Sequence, residues 1–194
     1  MTNALRLFRI LYAALLGGFL AGCSHVPVTS LLAMSRINFE TTDLVALRAA
    51  LRIPSAYQAR ENRMVVEIKQ EGRPDLREEF PLERLTSPAE LALLGAERRG
   101  GTELVAYKLP EAAIQKFEAI RARSLEAKAE KRKGSLTIKL EPDFCYVSEP
   151  PKDSLVFSTY LRTSETKQYV PVLVDLDGFS RKDFVEKIRA MQKC

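Results

Sequence analysis

Histidine is nearly absent from this chain: a single copy, His25, stands among 194 residues that include 30 lysines and arginines and 25 aspartates and glutamates. One imidazole excludes most Ser–His–Asp constellations and most zinc sites, because both need it as base or ligand beside further partners. G-x-S-x-G, the phosphate loop, the dinucleotide fingerprint and H-E-x-x-H are missing as well. No internal repeat or low-complexity tract occurs. Long apolar runs are scarce. The uncharged stretch Ile10–Gly22 falls short of the about 20 residues that cross a bilayer. It is interrupted by Gly17–Gly18 and gives way to polar Ser24–His25. Cysteine occurs only at Cys23, Cys145 and Cys194.

What is present begins at the amino terminus. Arg6 and Arg9 form a cationic head, the apolar run follows, and Ala21–Gly22 supply a small-residue exit, which is the order of a secretory signal. Leu20-Ala21-Gly22-Cys23 resembles the lipobox of bacterial lipoproteins in letters and in position. The resemblance implies that the signal, 1–22, is removed, that Cys23 carries a thioether-linked diacylglycerol, and that its new amino group is acylated, as with palmitate. A single chain of about 14 carbons binds a membrane marginally, at roughly 0.8 kcal/mol per methylene, whereas three chains anchor stably without a span. Ser24 holds the second mature position, where Asp would signal inner-membrane retention in enteric bacteria. The implied address is therefore the outer membrane of a Gram-negative envelope, facing the periplasm. "CSHVPVTSL" followed by "LRAALRIP" also resembles small envelope lipoproteins of alphaproteobacteria, over the first quarter of the chain. Under this reading Cys23 has no thiol left, so Cys23 and His25 do not form a dyad.

Removing the signal takes Arg6 and Arg9 with it and lowers the formal charge from +5 to +3. Such a mild excess suits phosphate-bearing lipids or lipopolysaccharide. Nucleic-acid binding is not expected, because the basic residues are not interleaved with aromatics. Cys145 and Cys194 remain as an isolated pair of thiols. In an oxidising periplasm they read first as a disulfide, and second as a reactive or intermolecular thiol at Cys194. The disulfide would staple the last helix to the strand that carries Cys145.

Residues 23–42 read as a lipidated amino terminus and a tether that partly docks on the domain. Residues 43–194 read as one domain of α+β class, a mainly antiparallel sheet of six to seven strands with a long and a C-terminal helix packed on one face. Period-two alternation marks Leu44–Ile53, with Arg48 and Arg52 on its polar face, and Met64–Lys69; these two are expected to pair across Ser55–Asn62. Leu76–Leu85 alternates too, and Pro81 assigns it to an edge, one expected to be open to an added strand in the adapter reading. Ser87, Pro88 and Glu90 suggest a capping box for a short helix closed by Gly95. Thr102–Leu109 is a further strand. Pro110 opens the longest helix, to about Lys133, with Ile114, Phe117, Ile120 and Leu125 as its apolar stripe and Gly134 as its stop. Leu136–Val147, broken near Pro142, Leu155–Leu161 and Gln168–Leu176 suggest a meander. Ser180 and Asp183 cap a last helix that buries Phe184, Val185, Ile188 and Met191.

Four features invite a chemical reading. Glu78 and Glu79 are adjacent on a strand and point to opposite faces, so they do not clasp one bond. Glu141 and Asp143 share a face only if the strand stays regular through Pro142; a glycosidase needs two carboxylates about 5–10 Å apart across a cleft. "DLDG", Asp175–Gly178, opens like a calcium loop but lacks the later oxygen donors, and a strand-to-helix turn explains it better. Lys128, Lys131, Arg132 and Lys133 crowd the end of the long helix, where cations suit its dipole, or else form a contact for an anionic lipid surface. No metal or cofactor is expected. The sequence thus points to a non-catalytic envelope lipoprotein acting as a structural or assembly adapter, tied to the membrane through Cys23 and contacting an envelope protein, lipid or lipopolysaccharide. The second reading is a periplasmic protein that binds or transports lipid or glycolipid, and the third a carboxylate-based hydrolase.

Overall fold

The computed structural model describes residues 25–149 and 154–194. The expected signal, 1–22, and Cys23, the expected site of acylation, lie outside the described residues. Among them the chain runs α1 (Val28–Met34), β1 (Arg48–Pro54), β2 (Tyr57–Ala59), β3 (Arg63–Gln70), β4 (Arg73–Pro81), β5 (Glu83–Leu85), α2 (Pro88–Ala92) and β6 (Thr102–Lys108). It continues as α3 (Glu111–Ala129), β7 (Gly134–Glu141), β8 (Phe144–Tyr146), β9 (Val156–Arg162), β10 (Val170–Asp177) and α4 (Lys182–Arg189). The class is α+β, with antiparallel strands, one long helix and one C-terminal helix.

Among the described residues ten strands stand where about six to seven were expected. The extra ones come from breaks in the expected runs. The Leu76–Leu85 run splits at Leu82, the Leu136–Val147 run splits at Pro142, and β2 lies inside the expected Ser55–Asn62 loop. The strands form three sheets, in the orders β10-β9-β1-β6-β5, β4-β3-β7 and β2-β8. β1 and β3 do not pair, contrary to expectation. β1 lies between β9 and β6, and β3 between β4 and β7. The cause is β2, which draws the chain out of one sheet to pair with β8 before β3 starts another. The meander holds for its second half, where β9 and β10 pair antiparallel, and fails for its first: Pro142 separates β7 from β8, and β7 closes on β3 rather than on β9. The edge assignment of Leu76–Leu85 holds for both of its pieces, β4 and β5.

The apolar cores follow these sheets. Phe117 and Ile120 of α3 pack on Met64, Val66, Ile68 and Phe80 of the three-stranded sheet. The Phe80 and Phe117 rings lie 5.6 Å apart. Phe184 and Ile188 of α4 pack instead beside Phe157, Leu155 and Phe144, so the two helices serve different sheets rather than one shared face. Leu125 of the expected stripe is 39% exposed and outside the core. Leu44 and Leu47 are buried while Val45 is not, because Asp43–Leu47 is a turn rather than the start of a strand; the Asp43 carboxylate accepts from the Val45 amide at 2.8 Å.

Several helix ends also differ from expectation. Ser87 makes no side-chain cap. The Glu90 carboxylate accepts from Arg162 at 2.8 Å and from the Tyr169 hydroxyl at 2.7 Å instead. The Ser180 hydroxyl donates to the Asp177 carbonyl, and α4 begins beyond it. Gly134 opens β7 rather than stopping α3. A Cβ there would come within 2.6 Å of the Lys69 carbonyl oxygen, so close strand approach demands glycine.

Candidate functional site

The chain leaving Cys23 is received at the outer edge of β10. The Val174 amide donates to the His25 carbonyl at 2.8 Å, and His25 Nδ1 lies 3.1 Å from the Val174 carbonyl oxygen. The one imidazole thus contacts backbone. α1 follows and packs on β10 through Ser30, which is 1% exposed. Its Val28, Leu31 and Leu32 point outward, at 76%, 53% and 69% exposure. Beyond α1 the tether is held again. Buried Thr42 donates its hydroxyl to Glu165 at 2.8 Å, and its carbonyl accepts from Arg121 of α3 at 2.7 Å.

Cys145 on β8 and Cys194 are joined by a disulfide. The last residues also run beside β8. The Tyr146 amide donates to the Gln192 carbonyl and the Cys194 amide to the Tyr146 carbonyl, so covalent and hydrogen bonds tie the segment after α4 to the same strand.

The basic end of α3 is only partly free. Lys128 donates to both carboxylate oxygens of Glu40, at 2.7 and 2.8 Å, and Arg132 pairs with Glu130. Lys131, with φ 59, and Lys133 are exposed. Two of the four cations are therefore answered within the chain, and a surface contact for an anionic partner would rest chiefly on Lys131 and Lys133.

The carboxylates separate much as their spacing suggests. Glu78 pairs with Lys116 of α3, whereas Glu79 joins a ladder on the opposite face. There Arg77 reaches Glu67 at 2.7 Å, Glu79 at 3.0 Å and Glu141 at 3.3 Å, and Lys139 reaches Glu67 at 2.8 Å. The hydrogen bond from Lys139, followed by those from Arg77, holds the Glu67 carboxyl below the usual carboxylate range. Glu141 and Asp143 do line one cleft, of about 310 Å³, between β7 and α4. Each faces a cation there: Lys187 is 3.9 Å from Glu141, and Arg60 is 4.0 Å from Asp143. In "DLDG" the Asp177 carboxylate accepts from the Phe179 amide at 3.0 Å and caps the turn Gly178–Ser180. Asp175 turns away to Arg52. Among the described residues no group of three or more acidic, histidine or cysteine side chains is placed to hold a metal.

Sequence reasoning missed a buried charged cluster. Arg52, assigned to a polar face, is 5% exposed. Its guanidinium donates to Asp175 at 2.7 Å, Ser158 at 2.9 Å and the Glu97 carbonyl at 3.1 Å, and lies 5.9 Å from the Tyr160 ring centre. Arg162, Glu90 and Tyr169 form a neighbouring set. Burial pushes the Tyr160 phenol up to about 12, and burial aided by Glu90 raises that of Tyr169. The available signal was length. β1 carries Ala50, Leu51 and Ile53 around Arg52, and such a run suits a strand covered on both faces.

Comparison with protein-family models, curated proteins and solved structures finds no match for this chain. No helix among the described residues is long and apolar enough to cross a membrane.

Proposed function

We propose that this chain is a non-catalytic lipoprotein, held in the envelope by acylated Cys23 and acting there as a structural or assembly adapter. The observation that supports the adapter role is β7. Among the described residues it pairs with β3 on one side only, and Gly134, Ser135, Leu136, Thr137 and Lys139 are exposed along it. An eight-residue edge without proline offers unpaired backbone donors and acceptors to an added strand. β4, the opposite edge of that sheet, carries Pro74 and Pro81 and is less suited. A lipid-binding groove between α3 and the sheet has less support, since Phe80 and Phe117 fill that space. The carboxylates in the β7–α4 cleft are paired with cations, which disfavours hydrolysis.

A photo-crosslinker at Thr137, in the lipidated protein within intact envelopes, tests this reading. The adapter role predicts one specific protein adduct, lost when the edge is blocked by proline. Lipid adducts alone would favour the binding reading, and no specific adduct of either kind would sink both.

A further inference from the structure

We propose that the outward face of α1 seats in the surface of the bilayer that carries the Cys23 anchor, with Arg36 beside it meeting a lipid phosphate. The proposal rests on the anchored reading and adds an orientation to it. Val28, Leu31 and Leu32 fall at i, i+3 and i+4, hence on one side of the helix. All three are exposed, and the opposite side, with buried Ser30, is already packed on β10. Such a face is an unmet apolar surface.

Chain length says what covers it. An extended chain advances at most about 3.3–3.6 Å per residue, so Cys23 is within about 18 Å of Val28 whatever path the intervening residues take. Docking of His25 on Val174 shortens the reach further, because it pins the chain two residues after the acylated position. A helix held that close to acyl chains meets the headgroup–acyl boundary, where amphipathic helices bury about 5–10 Å. A lone α1 would bind weakly; beside a permanent anchor its local concentration is high.

Charge complementarity points the same way. A cleft of about 290 Å³ opens between α1 and the start of β10, lined by Thr29, Ser30, Arg36, Thr166 and Gln168. Arg36 is exposed at its rim. The Ser30 hydroxyl is buried there without a hydrogen-bond partner among the described residues. A guanidinium with hydroxyl and amide neighbours suits a phosphate oxyanion. With the apolar face in the acyl boundary, this cleft lies at headgroup level.

The chain contains no tryptophan, so single-tryptophan variants of the full chain report cleanly. Leu32→Trp and a control, Leu136→Trp on β7, would be purified in acylated form and reconstituted into phospholipid vesicles containing a nitroxide lipid labelled near the headgroup. Intact mass reads acylation, flotation reads vesicle association, and fluorescence reads depth. The expected result is quenching of Leu32→Trp several-fold stronger than of Leu136→Trp, reduced by adding Arg36→Glu. Acylated, floating protein with equal quenching at both positions would overturn the seat and leave the anchor standing. Shielding of Leu32→Trp from aqueous iodide without lipid quenching would assign the face to a second copy or another protein, and overturn it too. Quenching unaffected by Arg36→Glu would remove the phosphate contact. A mass without acyl groups would overturn the anchored reading and the seat with it.

Discussion

The side chain of Arg52 crosses the second face of the five-stranded sheet to reach Asp175, Ser158 and Glu97. Its acidic partners are partly exposed, Asp175 more than Glu97, while Ser158 is buried. Their loss is therefore survivable, whereas loss of the buried cation's stem and five donors is not compensated. Arg52→Ala is expected to lower unfolding stability by about 2–3 kcal/mol, and Asp175→Ala by less than half of that, read from urea titration. The tyrosines give a pH dependence of definite sign. Burial raises the phenols of Tyr107 and Tyr160 to about 12 from an ordinary 10.0. A raised folded value favours the native state fully below the unfolded value, and that advantage disappears as pH rises through the folded one. Stability should hold to about pH 10 and fall between there and 12, with phenolate absorbance appearing together with unfolding. Phenolate of Tyr107 or Tyr160, read as the absorbance difference from the Tyr107→Phe and Tyr160→Phe variants, formed near pH 10 with the fold intact would contradict this. At this scale the sequence was legible where side chains obey strand or helix period: Phe117 and Ile120 are inside, and Glu78 and Glu79 face apart. It was not legible where tertiary partners capture a polar group. Glu90 abandons a capping box for Arg162 and Tyr169, and no local pattern announces that.

Among the elements, the segment after α4 depends most on covalent chemistry. Closing a loop with a sequence separation of 49 is worth about 4 kcal/mol in the chain-entropy model. Cys194→Ser should lower stability by up to that amount, and thiol labelling of the native protein should find both Cys145 and Cys194 protected; free labelling of either would contradict the bridge. α3 is held by its first half, so Phe117→Ala is expected to cost about 3–5 kcal/mol, as for other buried aromatic truncations, while changes at exposed Lys133 should stay within about 0.5 kcal/mol. The ladder on β3, β4 and β7 is exposed, and its effect on stability is small. Its sign is still fixed. Because Lys139 and Arg77 lower the Glu67 carboxyl, the ladder stabilises above the ordinary carboxylate range and loses that contribution as pH falls through the lowered folded value. Glu67→Gln should thus blunt acid unfolding slightly. Most elements were legible within a few residues, including the edge position forced by Pro81. Their pairing was not, apart from that of β9 with β10. Period two marks a strand but carries no information about its neighbour, and the three-residue strands β2 and β8, too short for any pattern, redirect the chain between sheets.

For the whole molecule, three small sheets share one chain through local devices: a turn at Asp43, a proline break at Pro142, and a terminal staple at Cys145. The amino-terminal approach belongs to the same architecture, because His25 and Thr42 fasten residues that the sequence reads as a tether to β10, the β9–β10 connection and α3. Under the proposed anchor at Cys23, the domain would sit close against the membrane rather than swing from it, with β7 as the proposed edge for a partner. The central claim is the anchor, and the most direct measurement of it is the intact mass and fractionation of the natural chain beside Cys23→Ala, expressed in a Gram-negative host. The account predicts a mature protein beginning at Cys23 with the added mass of a diacylglycerol and an amide-linked acyl chain, found with the outer membrane. It predicts that Cys23→Ala stays as an uncleaved or mislocalised precursor. A natural chain of unmodified mass, or a Cys23→Ala variant of the same mature mass in the same membrane fraction, would contradict it.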